Sequence, residues 1–251
     1  MKARVSQITN DARAFASEPI KPAQHQRAPQ QADSMSTHSH SDHTKKGSTA
    51  REILLAILIP VLIVVLIRLF LADIYVIPSG SMLNTLQIGD RIVTSRIEGQ
   101  HQPLHRGDII VFKDPNNWLS GESRSGLLPS DYLVKRIIGL PGDTVACKGS
   151  GSPVTINGHA INESGYLKQG VNPSDSAFSI KVSAHHVFVM GDNRSNSADS
   201  RFHFADKDHG LVPTSDVVGV AKFVYWPFTH WHGVGRDDAV YRNVGGVAAA
   251  R

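Results

Sequence analysis

A serine in a turn-forming segment is the first residue that could act on a peptide bond. In residues 77–86, Pro78 and Gly80 flank Ser79 and are followed at once by Ser81. Proline and glycine favour a tight turn, which would expose the Ser81 hydroxyl and leave a backbone N–H available for an oxyanion. A plain turn is the commoner meaning of such a segment, so it does not identify a nucleophile by itself.

A lysine inside an apolar strand pattern, residues 132–142, could supply the base. Side chains alternate along a strand, so either Lys135 or Arg136 should face the interior. Arginine stays charged, whereas a buried lysine can lose its proton because desolvation disfavours the charged form. Lowering a lysine pKa from about 10.4 to about 7–8 requires about 4 kcal/mol, which burial can supply. A neutral Lys135 could then accept the Ser81 proton, although a lysine that reaches solvent is the alternative interpretation.

A dense polar turn, Gly191–Arg201, follows an apolar run and holds two Asp, two Arg, two Asn and three Ser. Asp192, Asn193 and Asp199 could in principle ligate a hard cation. However, the two arginines would oppose a cation and can pair with the carboxylates instead. The sequence therefore predicts a hydrogen-bonded scaffold here and no metal site.

The longest apolar run, residues 53–72, predicts one transmembrane helix. At about 1.5 Å per residue the run covers about 30 Å, the thickness of a bilayer's hydrocarbon core. Arg68, its only charge, lies near one end and can reach the headgroups. The run begins about fifty residues into the chain, and Phe70–Ala72 lacks the small residue three positions before a cut, so residues 51–72 are expected to form an uncleaved anchor. Lys45, Lys46 and Arg51 flank its N-terminal end, so the positive-inside rule predicts a cytoplasmic N-terminus.

The segment before the anchor, residues 1–50, is polar and predicted to be a disordered cytoplasmic tail. Its histidines, His38, His40 and His43, lack an ordered scaffold that would make them metal ligands. The net charge of the chain is +4, and residues 1–51 already hold eight Lys/Arg against four Asp/Glu. The rest of the chain is balanced, so no nucleic-acid partner is expected.

The chain beyond the anchor reads as short Val/Ile-rich runs between turn residues, which predicts a mostly β, antiparallel domain. The domain is expected over residues 73–235, with an inserted subdomain at 144–184 and a flexible tail at 236–251. Cys147 is the only cysteine and is expected to be a small buried or half-buried residue. The predicted strands are 90–97, 108–113, 132–138, 154–157, 187–190 and 217–226, with exposed loops at 120–126 and 148–153.

Together with residues 107–112, the three segments 77–86, 132–142 and 191–201 resemble the conserved boxes of bacterial type I signal peptidases. The resemblance covers about residues 51–228 and rests on the order, spacing and membrane context of the boxes. It implies a Ser/Lys serine endopeptidase that removes signal peptides from exported preproteins and needs no cofactor. It also implies a single-pass protein of the plasma (inner) membrane, with its catalytic domain on the extracytoplasmic face, beside the lipid bilayer and the export machinery.

The resemblance also implies roles for individual residues. Ser81 matches the nucleophile and Lys135 the general base, while Ser79 matches a hydroxyl of the oxyanion hole and Ser197 one that orients the lysine. Asp199 and Arg201 match a supporting ion pair. Gly191 and Asp192 match residues that shape the site from behind, and the positions of the pockets for small substrate residues are matched by Tyr75, Ile77, Met82, Leu86 and Val134.

This chain departs from the family pattern in two places. Asn84 stands where the family usually has proline, which removes a φ constraint and is expected to loosen the turn modestly. The best-studied members carry a second span and a disulfide in a larger insert, so this chain resembles the single-span members.

Two other functions remain open at the level of sequence. A self-cleaving repressor-type Ser/Lys peptidase shares the catalytic fold, but should be cytosolic with an N-terminal helix-turn-helix. An anchored β-domain that merely binds wall, lipid or preprotein could use Tyr225–Phe228 and Trp231 as an aromatic contact surface.

Overall fold

The computed structural model describes residues 49–119, 131–245 and 249–250. Residues 1–48 of the predicted tail, which include His38, His40 and His43, and the predicted loop 120–126 lie outside the described residues.

One long helix, α1 (Ala50–Phe70), opens the described chain. The Thr49 N–H donates to Glu52 Oε2 at 3.0 Å, which satisfies one of the free donors at the helix start. The window Ala50–Ile67 has a mean hydropathy of 2.7 and none of it is buried, so it is apolar on every side and long enough to cross a membrane. The helix ends two residues before the predicted limit, because Ala72 already pairs with Ser95 in a sheet.

The remaining elements are short strands and one short helix. In chain order they are β1 (Ala72–Val76), β2 (Arg91–Ser95), α2 (Arg96–Gln100), β3 (Leu104–His105), β4 (Ile109–Lys113), β5 (Tyr132–Gly139), β6 (Thr144–Cys147), β7 (Thr155–Ile156), β8 (His159–Ala160), β9 (Phe178–Lys181), β10 (His186–Met190), β11 (Val212–Pro213), β12 (Val217–Trp226), β13 (His232–Gly233) and β14 (Ala249–Ala250).

The mostly β fold is confirmed, and every strand pairing in the described residues is antiparallel. The main sheet has eight strands in the order β1-β2-β12-β4-β5-β10-β11, with β13 paired to β12. A separate sheet, β8-β7-β6-β9, falls within the predicted insert, and β14 pairs with β3. All six predicted strands are present, although the run 154–157 keeps only two strand residues.

Both faces of the main sheet are covered, which decides where the polar residues of β5 can lie. One apolar cluster joins Ile138 and Phe188 of the main sheet to Val145 and Cys147 of the small sheet. Cys147 is buried there, as expected. A second cluster packs Ile77, Met82 and Leu86 against β2, β4 and β12 on the side of the predicted nucleophile. Two successive β5 residues can therefore both be interior.

Candidate active site

Ser81 lies on a loop between β1 and β2 whose two ends are hydrogen-bonded to each other. Ile77 donates to the Asp90 carbonyl and Gly89 donates back to the Ile77 carbonyl, each at 2.9 Å. Between these bonds, three side chains that the sequence assigned to substrate pockets are buried in the core: Ile77, Met82 and Leu86. The loop carrying Ser81 is thus fixed by apolar burial and by its own backbone pairing.

The backbone at Ser81 differs from the predicted tight turn around Ser79. Ser79 is extended, with φ −132° and ψ 161°, and a single 3₁₀ turn follows at Gly80–Met82. Ser81 as a residue is 9% exposed. Its hydroxyl accepts a hydrogen bond from a buried lysine.

Lys135 provides that hydrogen bond. Its Nζ lies 2.7 Å from Ser81 Oγ, and the residue is 4% exposed. The alternative interpretation, a lysine that reaches solvent, does not hold. The two groups lie 54 positions apart in the chain and come from different elements, the 3₁₀ turn and β5.

Arg136 is buried on the opposite face of β5 and is paired with Asp192 by two hydrogen bonds of 2.8 and 2.7 Å. Its Nη1 also donates to the Gly107 carbonyl at 2.9 Å. Burial by itself lowers the pKa of Arg136, but the hydrogen bonds and charge of Asp192 outweigh it and hold that pKa above its usual range. Asp192 also accepts a hydrogen bond from the Thr85 hydroxyl, so it links β5 to the nucleophile segment.

Asn193 holds the backbone of Gly80 and Ser81 directly, a role that the sequence did not suggest. Its N–H donates to the Ser81 carbonyl at 3.0 Å, and its Nδ2 donates to the Gly80 carbonyl at 2.9 Å. From sequence it was considered only as a possible oxygen ligand. The only indication in the sequence was its place in a polar turn, which does not show which backbone groups the side chain contacts.

Asp199 and Arg201 form the expected ion pair, with contacts of 2.8 and 2.9 Å. Burial alone would raise the pKa of Asp199, but the hydrogen bonds and charge of Arg201, with the Gly191 N–H and the nearby Ser197 hydroxyl, lower it below its usual value. The Gly191 N–H donates to Asp199 Oδ2 at 3.0 Å. A Cβ on Gly191 would lie 2.5 Å from the Ser81 carbonyl oxygen, so only glycine permits this approach.

The two remaining serines are placed differently from each other. Ser79 Oγ lies 3.4 Å from Ser81 Oγ, next to the predicted nucleophile. Ser197 is buried, but its Oγ has no hydrogen-bond partner among the described residues, so the implied hydrogen bond to Lys135 is not formed. Its Oγ lies over Gly191, 2.3 Å from where a Cβ on that residue would be.

Tyr75 and Val134 differ from the other assigned pocket residues because they are only partly buried at the edge of that apolar cluster. Tyr75 stacks edge to face on Tyr132 with a centroid distance of 5.6 Å. Burial, reinforced by the negative charge of Asp73, raises the pKa of Tyr75 to about 12, so its phenol stays neutral. Of the five assigned residues, these two are the ones with surface left to meet a substrate.

The inserted subdomain contributes to the site, which the sequence did not indicate. Arg194 donates from Nε to the Gly191 carbonyl at 3.0 Å and from Nη1 to Glu163 Oε2 at 2.9 Å. Tyr166 donates to Glu163 Oε1 at 2.8 Å, and its ring lies 4.1 Å from the Arg136 guanidinium. Glu163 and Tyr166 therefore support the polar turn from behind.

Asn84, which stands where the family usually has proline, occupies the third position of a tight turn. Leu83 has φ −57° and ψ 139°, Asn84 has φ 88°, and Thr85 N–H donates to the Met82 carbonyl at 3.0 Å. These values define a type II turn, whose third residue needs a positive φ that asparagine tolerates. The turn is closed in a conformation that proline cannot adopt at position 84, and the modest loosening stays a prediction.

Across the described ranges, no group of three or more His, Cys, Asp or Glu side chains is placed to hold a metal ion. The chemistry offered by the site is that of a hydroxyl and an amine in a water-poor pocket: a nucleophile and a base.

Comparison with known proteins gives one family. The sequence model described as "Signal peptidase, peptidase S26" matches residues 50–226. The probable signal peptidase I of Mycobacterium leprae (strain TN) is 34% identical over 236 residues, covering 76% of this chain and 81% of that protein. Signal peptidase I T of Bacillus subtilis (strain 168) is 36% identical over 200 residues, covering 76% and 93%. A crystal structure of a signal peptidase I from Enterococcus faecalis V583 is 29% identical, with a TM-score of 0.32 over 46% of this chain and 93% of that one.

The type II turn predicts the effect of restoring the family's proline. Asn84→Pro should destabilise the chain by more than about 1 kcal/mol, because proline fixes φ near −65° where the turn needs a positive value. Asn84→Gly is the matched control and should stay within about 1 kcal/mol of the parent, since glycine suits this position. Urea unfolding of both variants checks this, and an Asn84→Pro variant as stable as the parent would contradict it.

The lowered pKa of Asp199 predicts a pH-dependent stability. A carboxyl whose folded pKa lies below its unfolded value of about 3.9 stabilises the fold above that pH, and the contribution is lost as pH falls further. Asp199→Asn should therefore lower the melting temperature at pH 7, where removing one partner of a buried pair costs about 3–5 kcal/mol. The difference from the parent should shrink below about pH 4.

Thermal melts of the parent and the Asp199→Asn variant at pH 7 and pH 3 measure this. Asp175, an exposed carboxylate, is the control, and Asp175→Asn should match the parent at both pH values. A gap between the Asp199→Asn variant and the parent that is as wide at pH 3 as at pH 7 would be the contrary result.

Proposed function

Because the chain belongs to the signal peptidase family, peptidase S26, and is thus a serine peptidase that removes signal peptides, we propose that Ser81 and Lys135 are its catalytic pair. The single observation that carries the proposal is the 2.7 Å contact between Lys135 Nζ and Ser81 Oγ, with both residues buried. A base within hydrogen-bond reach of a nucleophile is the geometry that general-base activation requires.

The reaction is acyl transfer in two steps. Ser81 Oγ attacks the scissile carbonyl carbon while its proton passes to the neutral Lys135 amine. The C–N bond then breaks, and the new ammonium returns that proton to the leaving amine, which leaves an acyl ester on Ser81. A water molecule attacks the ester, Lys135 accepts its proton, and Ser81 recovers that proton as the signal peptide departs.

Burial favours the neutral form of Lys135, which the proposed reaction requires. An ammonium loses its hydration when it enters a site that is 4% exposed, whereas the neutral amine loses much less. Arg136, the next residue, keeps its charge because Asp192 pairs with it through two hydrogen bonds. Lys135 instead faces a hydroxyl that has a proton to give.

The oxyanion of the tetrahedral intermediate is assigned to the Ser81 N–H and the Ser79 hydroxyl. The support is proximity, since Ser79 Oγ lies 3.4 Å from Ser81 Oγ on an extended residue that precedes the 3₁₀ turn. Donors aimed at developing charge contribute most in a site that excludes water. Gly191, Asp192, Asp199 and Arg201 hold this arrangement from behind, and Ser197 fills the space over Gly191.

The preferred substrates have small residues at the first and third positions before the cut. Tyr75 and Val134 keep exposed surface at the edge of the apolar cluster formed by Ile77, Met82 and Leu86. A shallow apolar wall with a neutral phenol at its rim accepts a small side chain and leaves little room for a large one.

Helix α1 anchors the chain in the plasma membrane, with residues 1–50 in the cytoplasm and the catalytic domain, about 73–235, outside. The support is the helix's length and hydropathy, together with the basic residues that precede it. Trp226, Phe228 and Trp231 form an exposed aromatic group, with centroids 4.9 and 6.0 Å apart, that suits the lipid interface. Ser81 thereby meets preproteins where the export machinery delivers them.

Replacement of the two residues tests the pair. Ser81→Ala and Lys135→Ala should each lower kcat for a signal-peptide-bearing precursor by about 10³-fold or more. Lys135→Arg should be equally inactive, because a guanidinium keeps its proton at any working pH. Ser179→Ala and Lys181→Ala, both exposed on β9, are controls and should cleave normally.

The assay uses the full chain in detergent, with the mature protein and released signal peptide resolved by mass spectrometry. Full activity of the Lys135→Arg variant would exclude a neutral amine as the base, and full activity of the Ser81→Ala variant would exclude the pair altogether.

A further inference from the structure

The connection between β12 and β13 has two different faces. Its outer face carries the exposed aromatic group of Trp226, Phe228 and Trp231. Its inner face carries His230 and His232, whose rings lie 4.5 Å apart and reach the segment that bears Ser81. Neither histidine has a part in the proton transfers assigned to Lys135.

His232 lies between two carbonyl oxygens. Its Nδ1 is 2.9 Å from the carbonyl of His230, and its Nε2 is 3.1 Å from the carbonyl of Thr85. A carbonyl only accepts, and a neutral imidazole carries one N–H, so the neutral ring donates to only one of the two carbonyls. The tautomer protonated at Nε2 donates to Thr85 and joins the β12–β13 connection to the turn that follows Ser81.

Thr85 is the point at which that turn is held. It closes the type II turn by donating its N–H to the Met82 carbonyl at 3.0 Å, and Met82 immediately follows Ser81. Its hydroxyl donates to Asp192, which also pairs with Arg136 on β5. The carbonyl, N–H and hydroxyl of one residue are therefore each engaged by a different part of the site.

Two sets of contacts hold the Ser81 segment from opposite sides. Asn193 donates hydrogen bonds to the Gly80 and Ser81 carbonyls, and His232 contacts the Thr85 carbonyl at the end of the type II turn. His230 adds a contact at the far end, with Nδ1 2.9 Å from both oxygens of the buried Asp90 carboxylate. Without the His232 contact, Asn193 and Asp192 would still hold one side of the turn, but the Thr85 carbonyl on the other side would lose its partner.

We propose that His232 is a positioning residue for the cleavage reaction. It fixes the Thr85 carbonyl, and through the short turn Met82–Thr85 it keeps Ser81 Oγ within reach of Lys135 Nζ. The proposal rests on the assignment of Ser81 and Lys135 as the catalytic pair. A shift of about 1 Å in a reacting group can lower a rate by about 10²-fold, so a turn held on one side only is a sensitive point.

Two conservative variants distinguish the contact of His232 with the Thr85 carbonyl from its contact with the His230 carbonyl. The amide nitrogen of glutamine can occupy the place of Nε2 and donate to Thr85, whereas that of asparagine reaches only the place of Nδ1 and donates to His230. His232→Gln should therefore keep kcat within about threefold of the parent, and His232→Asn should lose as much as His232→Ala, about 10-fold to 10²-fold. KM should change by less than about twofold in all three, because the substrate-binding surface is untouched.

The experiment measures kcat and KM of the detergent-solubilised full chain on a signal-peptide-bearing precursor, with the melting temperature of every variant. His159→Ala is the matched control, since His159 is exposed on β8. A His232→Ala variant with the parent's kcat overturns the proposal. So does rescue by asparagine but not by glutamine, which would assign the effect to the connection alone, or a loss of kcat that only follows a fall in melting temperature.

Ser81→Ala in the same assay keeps the two proposals apart. If Ser81→Ala is inactive and His232→Ala is fully active, only the positioning role fails. If Ser81→Ala still cleaves, the catalytic pair itself is wrong.

Discussion

The burial of one amine beside one hydroxyl is the constraint on which the site depends. Lys135 follows an exposed Tyr132 by three residues, yet it lies inside, because both faces of the main sheet are covered. A charged amine there would be costly, and an amine that gives up its proton to water is a base ready to accept one from Ser81. The neighbouring Arg136 meets the same burial in the other way, by pairing with Asp192. Of these two successive residues of β5, Arg136 is a paired cation, and Lys135 is the residue proposed as the base.

Rigid surroundings make this arrangement usable for chemistry. The polar turn 191–201 holds its charges in pairs: Asp192 with Arg136, Asp199 with Arg201, and Arg194 with Glu163. Each pair also binds backbone or a hydroxyl near Ser81, so the loss of one partner would leave a buried charge and a loosened nucleophile together. Gly191 lets the turn approach the Ser81 carbonyl closely enough for Asn193 to donate to it.

Much of the fold could be predicted because strands and a membrane helix have local signatures. The Val/Ile-rich runs of β4, β5 and β12 and the unbroken apolar run of α1 are properties of neighbouring residues. Segments with a recognisable order made it possible to name Ser81, Lys135, Asp199 and Arg201 as candidate site residues.

The features that could not be predicted depend on contacts between residues that are distant in the chain. Glu163 meets Arg194 across 31 positions, Asn193 meets Gly80 across 113, and neither pairing leaves a trace in local pattern. Asn84 was expected only to remove a constraint, and its positive φ was not predicted because it depends on the turn that the whole loop adopts. Ser197 was assigned a hydrogen bond to Lys135 by resemblance, and its Oγ has no hydrogen-bond partner among the described residues.

The protonation state of Lys135 is the property that most directly tests this mechanism. Nitrogen-15 NMR of the full chain, labelled at lysine side chains and assigned with the Lys135→Arg variant, can follow that amine across the pH range in which the precursor is cleaved. The mechanism predicts the chemical shift of a neutral amine for Lys135 Nζ at the pH of maximal kcat. An ammonium shift for Lys135 throughout that range would contradict its role as the base.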